Sequence, residues 1–302
     1  RSTPKPSSAA SDVYKRQVND NKLKRINSIN VKDFVIISDF DRTLIQTSYR
    51  GKKITSMISI LRENVLIDVD YTKRAEQMFN YYHKIEIDPN IPIDKKIRYM
   101  EEWWRKHYQL LIEKGISKDL IKKVVNSRCL RLRKYVYEFL LLTFESKIPV
   151  IIISANGLGD YGIKEFLKRY NVNFSNIVVV SNKLVFRSDG RLIGIKEPLI
   201  HTYYKYMFDV TYFPTIRKIT KNRSSAFVLG DSIVDATVGE RIIKGTLIKI
   251  GFLDDEKLFD EFKKHYDIVL PGNASFKIPL QLLKSIIGNY NFSSSKSAFI
   301  RL

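Results

Sequence analysis

The chain has 302 residues, of which 44% are hydrophobic and 28% are charged, a composition typical of soluble globular proteins. Its single cysteine, Cys129, excludes an internal disulfide and a metal cluster built on cysteine, and no apolar run approaches the ~20 residues of a membrane-spanning helix. We therefore expect a cytoplasmic protein that does not span a membrane. The formal charge of +20 would attract anions, either a phosphorylated substrate or nucleic acid, unless the basic residues are spread over solvated helix faces.

Residues 1–17 are rich in Ser, Pro, Lys and Ala and contain no apolar segment. We expect them to be a disordered leader or a cloning remnant that lies outside the fold. The remaining length suits one large domain that carries an insert. We place an α/β core at residues 18–53 and 148–302, and the insert at residues 54–147.

The first core strand is predicted at Phe34–Ser38, an apolar run rich in β-branched residues. Two carboxylates, Asp39 and Asp41, follow it directly. Because side chains two residues apart on an extended chain share a face, both can point into one pocket. An ordinary turn rich in aspartate would give the same spacing, but Thr43 extends the pattern to Asp-x-Asp-x-Thr, which favours a functional site.

Residues 54–147 show helical periodicity instead of short apolar runs. Helices are predicted at Tyr71–Tyr82, at Asp94–Lys114 and at Ser117–Phe144, the last with a break near Cys129. An all-helical insert between two core strands predicts a cap, and residues 54–147 are called the cap below.

A second apolar strand, at Pro149–Ile153, ends in Ser154. Two shorter runs, Leu184–Phe186 and Leu192–Gly194, flank a turn that contains Gly190, a pattern typical of a β-hairpin. These runs place most of the predicted sheet after the cap.

A third apolar strand, at Ala226–Leu229, leads into Gly230 and Asp231. The weaker elements are strands at Ile177–Ser181, Leu247–Ile250 and Asp267–Leu270, with helices at Glu256–His265 and Lys277–Ile287. This alternation predicts a doubly wound, Rossmann-like parallel sheet. Three of its strands end in polar side chains at the edge where open α/β sheets bind ligands.

Four carboxylates carry the predicted chemistry, those of Asp39, Asp41, Asp231 and Asp235. One of the first pair could attack phosphorus while the other protonates the leaving oxygen. Asp39, Asp231 and Asp235 offer the hard oxygen ligands that Mg²⁺ prefers, although Asp231 could instead cap a helix. The cation would also screen the repulsion between a carboxylate and a phosphate.

Ser154 and Lys196 complete the candidate site. A hydroxyl at a strand end, together with the backbone N–H groups of a following helix, is suited to binding phosphate. Lys196 follows the hairpin and could neutralise charge on the transferring oxygens. In a chain with so many lysines, Lys196 could equally be a solvated surface residue.

The order Asp-x-Asp, Ser, Lys and Gly-Asp-x-x-x-Asp, each on or after its own strand, resembles the haloacid dehalogenase superfamily of phosphohydrolases with an aspartate nucleophile. Further segments are similar to the cytosolic pyrimidine 5'-nucleotidase family, in order from about Phe34 to Ile286. These segments are Met100–Trp104, Ile151–Asp160, Val180–Asn182, Gly194–Lys196, Leu199–His201, Leu229–Ser232 and Ile248–Leu253. The resemblance implies a haloacid dehalogenase core with an all-helical cap inserted after the first core strand.

The resemblance also implies Mg²⁺-dependent hydrolysis of UMP and CMP to nucleoside and phosphate through an aspartyl-phosphate. Asp39 would be the nucleophile and Asp41 the general acid and base. The metal would be held by Asp39, by the backbone carbonyl of Asp41 and by Asp231, with Asp235 orienting its shell.

By the same resemblance, Ser154, Ala155 and Lys196 would hold the phosphate, and Glu86 of the cap would recognise the base. The other residues expected to line the base pocket are Trp103, Trp104 and His107. Both tryptophans could instead anchor the core of the cap.

The chain departs from the family pattern at three points. After Trp103-Trp104 the family usually has Ser-His, whereas this chain reads Arg105-Lys106-His107-Tyr108. Part of the base pocket is therefore expected to differ. The loop after Ser154 has one more residue than usual and reads Asn156-Gly157. Arg42 stands where an apolar residue is common, and we expect Arg42 to contact the phosphate.

Two alternatives stay open. The same machinery could act on another phosphate ester, such as 7-methyl-GMP, or could pass the phosphoryl group to a nucleoside. A catalytically silent, basic protein that binds nucleic acid would also explain the charge of +20, but every acid that the chemistry needs is present. We expect a monomer that acts on a nucleoside monophosphate, with neither a membrane nor nucleic acid as a partner.

Overall fold

The computed structural model describes residues 17–18, 26–63 and 66–288. The strands are β1 (Gln17–Val18), β2 (Phe34–Ser38), β3 (Ser48–Tyr49), β4 (Lys52–Lys53), β5 (Val150–Ile153), β6 (Ile177–Val180), β7 (Lys183–Phe186), β8 (Leu192–Lys196), β9 (Ser225–Gly230), β10 (Thr246–Leu253) and β11 (Ile268–Pro271). The expected leader lies outside the described residues except for Gln17, which pairs with Val269 at the edge of the main sheet.

The main sheet has the order β1-β11-β10-β9-β2-β5-β6. All of its neighbouring pairs are parallel except β1 with β11. From β2 the chain continues to β5 and β6 on one side, and then to β9, β10 and β11 on the other. This reversal confirms the predicted doubly wound sheet and puts the switch point, where such sheets bind ligands, between β2 and β9.

The helices are α1 (Ser59–Glu63), α2 (Val69–Ile87), α3 (Ile93–Glu113), α4 (Lys118–Val125), α5 (Val136–Glu145), α6 (Gly159–Arg169), α7 (Pro214–Thr220), α8 (Ile233–Ile242), α9 (Phe259–His265) and α10 (Lys277–Ile287). Helices α4 and α5 are separate, which confirms the predicted break near Cys129. The sequence patterns do not predict the short helices α1 and α7 or helix α8. In the part of the chain that the structure describes, no helix has both the length and the apolar character needed to cross a membrane.

The apolar run of β2 is buried on both faces of the sheet. Phe34 and Ile36 join one core cluster, whereas Val35 and Ile37 join the cluster on the opposite face. This division follows from the alternation of side chains along a strand and explains why the run is continuously apolar. Because both faces of β2 are buried, a shift of its pairing by one residue would move every side chain to the wrong face. The register with the neighbouring strands is therefore fixed, and the strand ends come together.

Helix α5, at the end of the cap segment, packs on α10 of the core. The rings of Phe139 and Phe276 meet edge to face, with centroids 5.3 Å apart. This contact crosses the predicted boundary between cap and core, and the position of that boundary at residue 147 stays a prediction.

The β7–β8 hairpin, which confirms the predicted one, fastens the cap to the core. Lys118 donates its backbone N–H to the carbonyl of Gly190 at 3.0 Å, and Leu192 donates to the carbonyl of Ile116 at 2.7 Å. Gly190 lies in the hairpin turn at a φ of 85°, a conformation that glycine adopts without a steric cost. Residues 116–118 of the cap are thus tied by backbone hydrogen bonds to a core hairpin.

Candidate active site

Asp39 and Asp231 follow neighbouring strands at the switch point of the sheet. Strand β2 pairs with β9 so that Ser38 lies beside Leu229, and the N–H of Asp39 donates to the Leu229 carbonyl at 2.9 Å. Ligand oxygens of Asp39, Asp231 and Asp235 all lie within 4.8 Å of one another. The structure therefore brings together the three carboxylates that the sequence predicts as one site.

Asp235 is held at the N-terminus of α8 by a capping box with Ser232. Its Oδ2 accepts from the backbone N–H groups of Asp231 and Ser232, at 3.1 and 3.0 Å, and from the Ser232 hydroxyl at 2.7 Å. A Cβ at Gly230 would come within 2.2 Å of the Asp235 Cβ, so only glycine fits there. Because one oxygen of Asp235 is occupied in this way, its carboxylate is suited to orienting the loop that carries Asp231.

Lys205 places a buried ammonium between two of these carboxylates. Its Nζ lies 2.7 Å from Asp39 Oδ1 and 2.5 Å from Asp235 Oδ1, and the side chain is only 7% exposed. Burial by itself would lower the pKa of Lys205, but the charges of Asp235 and Asp39 outweigh that effect and raise it. Lys205 is therefore a fixed positive charge in the site.

Asp41 is fixed by one hydrogen bond to each carboxylate oxygen. The N–H of Met57 donates to Oδ1 at 2.9 Å, and Asn156 Nδ2 donates to Oδ2 at 2.6 Å. Burial and the charge of Asp39 raise the pKa of Asp41 to about 7, although both hydrogen bonds favour the charged form and oppose this rise. A carboxyl group with a pKa near neutrality can both give and take a proton.

The pKa values of Asp39 and Asp231 are also raised, to about 7 and about 6. Burial is the main cause in both, and the charge of Asp235 adds to it. Lys205 opposes the rise at Asp39, and Arg42 does so at Asp231. The side-chain charges of Lys205 and Arg42 thus offset the negative charge of the three carboxylates only in part, and a divalent cation would offset more of it.

Ser154 ends β5 next to β2 as predicted, and it is almost completely buried. Ala155 follows it and packs against the core cluster that contains Val35 and Ile37. The backbone N–H of Ser154 donates to the carbonyl of Val180 at 3.0 Å. The roles of Ser154 and Ala155 in holding phosphate stay predictions.

Lys196 and Arg42, both predicted to contact the phosphate, lie in different surroundings. Lys196 is exposed at the end of β8, and the amine that the described residues bring to Asp39 is that of Lys205. We therefore correct the prediction for Lys196, because its side chain lies on the surface of the hairpin. Arg42 pairs with the metal-site carboxylate of Asp231, with its Nε 3.2 Å from Oδ2.

Glu86 of the cap is bonded to the core turn that carries Lys205. Its Oε1 accepts from the Thr202 hydroxyl at 2.8 Å, and its Oε2 lies 3.0 Å from Nδ1 of His83. The backbone carbonyl of Glu86 accepts from the Tyr203 hydroxyl at 2.5 Å. Thr202 and Tyr203 belong to a short 3₁₀ turn, Thr202–Met207, which also contains Lys205. Glu86 therefore lies close to the core turn that supplies the ammonium.

The two tryptophans lie in an aromatic cluster of the cap. Trp103 stacks on Tyr82 at 5.7 Å between centroids and on Trp104 at 6.1 Å. Trp104 packs against the loop after Ser154, where a Cβ on Gly157 would come 2.9 Å from its ring. Trp103 thus stacks on rings of the cap and Trp104 also contacts the core, and stacking of either ring on a base stays a prediction.

His107 is buried in the cap beside Tyr71, whose hydroxyl lies 3.3 Å from Nε2. Burial and the charge of Arg62 lower the pKa of His107 to about 4, so the imidazole is neutral at pH 7. A role of His107 in base recognition would therefore use a neutral ring. That role also stays a prediction.

Two residues of the site were missed by the sequence patterns. Lys205 lies in an irregular segment among tyrosines, where neither a strand end nor helical periodicity marks it. Asn156 was noted only as an extra loop residue, although its side chain fixes Asp41. A lysine flanked by aromatic residues is a weak sign of burial, and it is the only sign that the sequence offers for Lys205.

A divalent cation fits these residues. Asp39 and Asp231 offer oxygen ligands, which Mg²⁺ prefers, and Asp235 is tied down by the capping box. Burial, with the charge of Asp235, raises the pKa values of Asp39 and Asp231, and a bound cation would favour the charged forms of both carboxylates. The donor set and the charge therefore both suit Mg²⁺.

Comparison with known proteins identifies the family. The family model described as pyrimidine 5'-nucleotidase (UMPH-1) matches residues 42–287. The chain belongs to this family. It is a 5'-nucleotidase, a phosphoric monoester hydrolase, as its curated relatives also are.

These relatives carry a narrower name. The 7-methylguanosine phosphate-specific 5'-nucleotidase of Mus musculus is 35% identical over 258 residues, which cover 83% of this chain and 84% of the relative. The Homo sapiens enzyme of the same name is 34% identical over the same shares of both chains. The crystal structure of cytosolic 5'-nucleotidase IIIB bound to cytidine has a TM-score of 0.77 at 28% identity and covers 93% of this chain and 96% of that one.

A more distant structure supports the fold alone. A probable phosphoserine phosphatase from Vibrio cholerae superposes with a TM-score of 0.54 at 12% identity, over 87% of this chain and 68% of that one. Together with the nucleotidase structure, it confirms the predicted haloacid dehalogenase core.

Proposed function

We propose that this nucleotidase hydrolyses pyrimidine nucleoside 5'-monophosphates, UMP and CMP, with Mg²⁺ and through an aspartyl-phosphate on Asp39. The observation that carries the proposal is the meeting of Asp39 and Asp231 at the switch point, with Asp41 fixed two residues beyond the nucleophile. The family description and the cytidine in the solved relative support a pyrimidine substrate.

In the first step, a carboxylate oxygen of Asp39 bonds to phosphorus while the bond from phosphorus to the ribose O5' breaks. Asp41 gives its proton to the departing oxygen. In the second step, the Asp41 carboxylate takes a proton from water, whose oxygen bonds to phosphorus as the bond to Asp39 breaks. Both carboxyl groups then return to their starting protonation states.

The cationic groups would act on the charge that these steps move. Lys205 stabilises Asp39 and Asp235 through contacts of 2.7 and 2.5 Å. Asp39 and Asp231 would hold Mg²⁺, with Asp235 orienting the Asp231 loop. When bound, the cation would neutralise charge on the phosphate oxygens and on the nucleophile.

A second candidate substrate is 7-methyl-GMP. The mouse and human relatives are named for 7-methylguanosine phosphate. The cap carries a stack of Tyr82, Trp103 and Trp104, and aromatic faces of this kind attract a positively charged ring such as 7-methylguanine. This observation favours 7-methyl-GMP, whereas Glu86 could accept a hydrogen bond from either kind of base.

Phosphate release across a nucleotide panel tests the proposal. UMP, CMP, 7-methyl-GMP, AMP and a sugar phosphate are compared with and without Mg²⁺. We expect turnover that needs Mg²⁺ and prefers UMP and CMP over AMP and the sugar phosphate. A preference for 7-methyl-GMP over UMP would select the second candidate. Equal rates of phosphate release with Mg²⁺ and with EDTA would contradict the requirement for a metal.

We predict that Asp39→Asn lowers phosphate release by a factor of at least about 10⁵, because an amide cannot take the phosphoryl group. The circular dichroism spectrum should stay that of the wild type. Asp119→Asn, at a side chain that is 89% exposed on α4, is the matched control and should keep full activity. Turnover by Asp39→Asn near the wild-type rate would refute the nucleophile.

Two broader predictions accompany this function. We propose a cytosolic location, which agrees with the name of the solved relative. We also propose that the protein acts as a monomer. Sedimentation analysis at the assay concentration checks the second point, and a larger species that carries the activity would contradict it.

A further inference from the structure

Arg42 contacts two carboxylates at the rim of the metal site. Its Nε lies 3.2 Å from Asp231 Oδ2, and its Nη2 lies 3.6 Å from Asp254 Oδ2. The side chain of Arg42 is 28% exposed, whereas those of Asp231 and Asp254 are 14% and 18% exposed. The guanidinium thus spans a metal-site carboxylate and a second acidic group outside the site.

The backbone of Arg42 is fixed, and its side chain contacts both carboxylates at the same time. Arg42 has a left-handed φ of 59°, and its carbonyl accepts a hydrogen bond from the buried guanidinium of Arg133. Asp254 is also paired with Lys53, at 2.6 Å. The guanidinium therefore contacts both carboxylates in one conformation, and Asp254 would remain as a partner if the contact with Asp231 were lost.

A cation bound by Asp231 would be close to this guanidinium. The ion pair spans 3.2 Å, and Mg²⁺ lies about 2.1 Å from a carboxylate oxygen, so the two charges would be roughly 5 to 7 Å apart. Like charges at that distance in a partly buried site repel each other strongly. A carboxylate ligand can accept hydrogen bonds from neighbouring donors, but a guanidinium also carries a full positive charge and draws electron density away from the oxygen that it contacts.

We propose that Arg42 is an internal competitor for the metal site, and that Asp254 is the acceptor that takes its guanidinium when Mg²⁺ binds. Arg42 therefore weakens the affinity of this chain for Mg²⁺, and Asp254 limits that weakening. The inference rests on the proposed metal site and concerns a residue that the family pattern replaces with an apolar one. It assigns to Arg42 a role in setting metal affinity instead of the predicted contact with phosphate.

Isothermal titration of the substrate-free protein with MgCl₂ tests the inference without any activity measurement. We expect Arg42→Met to lower the dissociation constant at least about tenfold, because the competing charge is gone. Arg50→Met is the matched control, since Arg50 is exposed and also has a left-handed φ, of 50°. It should leave the dissociation constant within about twofold of the wild type.

Asp254→Asn is the second variant and should act in the opposite direction. It leaves the guanidinium on Asp231 and should raise the dissociation constant by about threefold or more. In the Arg42→Met background the same substitution should have little effect, since no guanidinium remains to be redirected.

The outcomes separate the possible failures. An Arg42→Met protein that binds Mg²⁺ no more tightly than Arg50→Met would overturn the competitor role. An equal loss from Asp254→Asn in both backgrounds would overturn its role as an acceptor and leave only its charge. If the wild type shows no heat of binding and no Mg²⁺-dependent turnover, the proposed metal site itself fails.

Discussion

Asp41 has an environment that suits a group exchanging protons near neutral pH. Its two oxygens are held separately by Met57 and Asn156, which sets the direction of the carboxyl group. Burial raises its pKa to about 7, against the effect of these hydrogen bonds. The first step needs Asp39 ionised and Asp41 protonated, so the kcat/KM profile should be bell-shaped near pH 7, with Asp39 setting the acidic limb and Asp41 the basic limb.

We predict that Asn156→Ala moves the basic limb of the kcat/KM profile upward by about one pH unit. The substitution removes a hydrogen bond to the ionised form, so the pKa of Asp41 rises and its proton is kept to higher pH. Rates for UMP across pH 5–9 measure the limb. Asn176→Ala, at a residue that bonds to the Ile148 carbonyl, is the control and should leave the limb in place. A basic limb that stays fixed in Asn156→Ala would contradict the positioning of Asp41.

Lys205 and Lys196 give a direct comparison of two lysines. We predict that Lys205→Met lowers kcat by about 10²–10³, because the site loses its fixed ammonium. It should also cost about 3–5 kcal/mol of unfolding free energy without metal, since Asp39 and Asp235 lose their buried partner. Lys196→Met should match the wild type in both assays. The reverse pattern, with Lys196→Met inactive, would restore the original sequence prediction.

At the scale of elements, Arg133 joins the loop after β2 to the segment after β11. The residue is 2% exposed and lies over the ring of Phe252, with its guanidinium 4.4 Å from the ring centroid. Its guanidinium donates to the carbonyls of Thr43 and Ala274, at 2.8 and 2.9 Å. One side chain thus ties the loop that carries both aspartates to the far side of the sheet.

We predict that Arg133→Met destabilises the protein by about 3–5 kcal/mol, because several buried carbonyls lose their donor together. Urea unfolding followed by tryptophan fluorescence measures the loss. Arg131→Met, two residues away at an exposed side chain, should change the unfolding free energy by less than about 0.5 kcal/mol. Equal effects of the two substitutions would show that Arg133 does not brace the loop.

The elements also show what the sequence could predict. Strands β2, β5 and β9 are continuous apolar runs that end in polar residues, and a run of that kind has few alternatives to a buried parallel strand. The turn Thr202–Met207 shows no hydrophobic periodicity, and Thr202 and Tyr203 in it are bonded to Glu86 and Lys96 of the cap. Local patterns therefore predicted Asp39 and Asp231 but not Lys205.

At the scale of the whole molecule, the buried carboxylates link stability to pH and to metal. The folded pKa values of Asp39 and Asp41 are about 7 and that of Asp231 about 6, all above the ordinary 3.8. The folded state therefore holds protons that the unfolded chain releases above pH 4. The stability from these groups is complete below about pH 4 and is lost as the pH rises through about 6–7.

We predict that Mg²⁺ raises the melting temperature by about 5–10 °C at pH 8 and much less at pH 5. At pH 8 the carboxylates are ionised and uncompensated, and binding at about a hundred times the dissociation constant adds about 2.7 kcal/mol. Thermal unfolding with MgCl₂ or EDTA measures the difference. Asp231→Asn should lose this response at both pH values. A shift of equal size at pH 5 and pH 8 would contradict the linkage.

The backbone hydrogen bonds between the β7–β8 hairpin and residues 116–118 give the cap a pivot. Helix α3, with 21 residues, is a lever of roughly 30 Å that runs from this pivot toward the end where Lys96 meets Tyr203. A rotation of roughly 10° would carry that far end through roughly 5 Å while residues 116–118 stay in place. A rotation of this kind would release side-chain contacts such as that between Thr202 and Glu86, and it would leave every ladder of the main sheet intact.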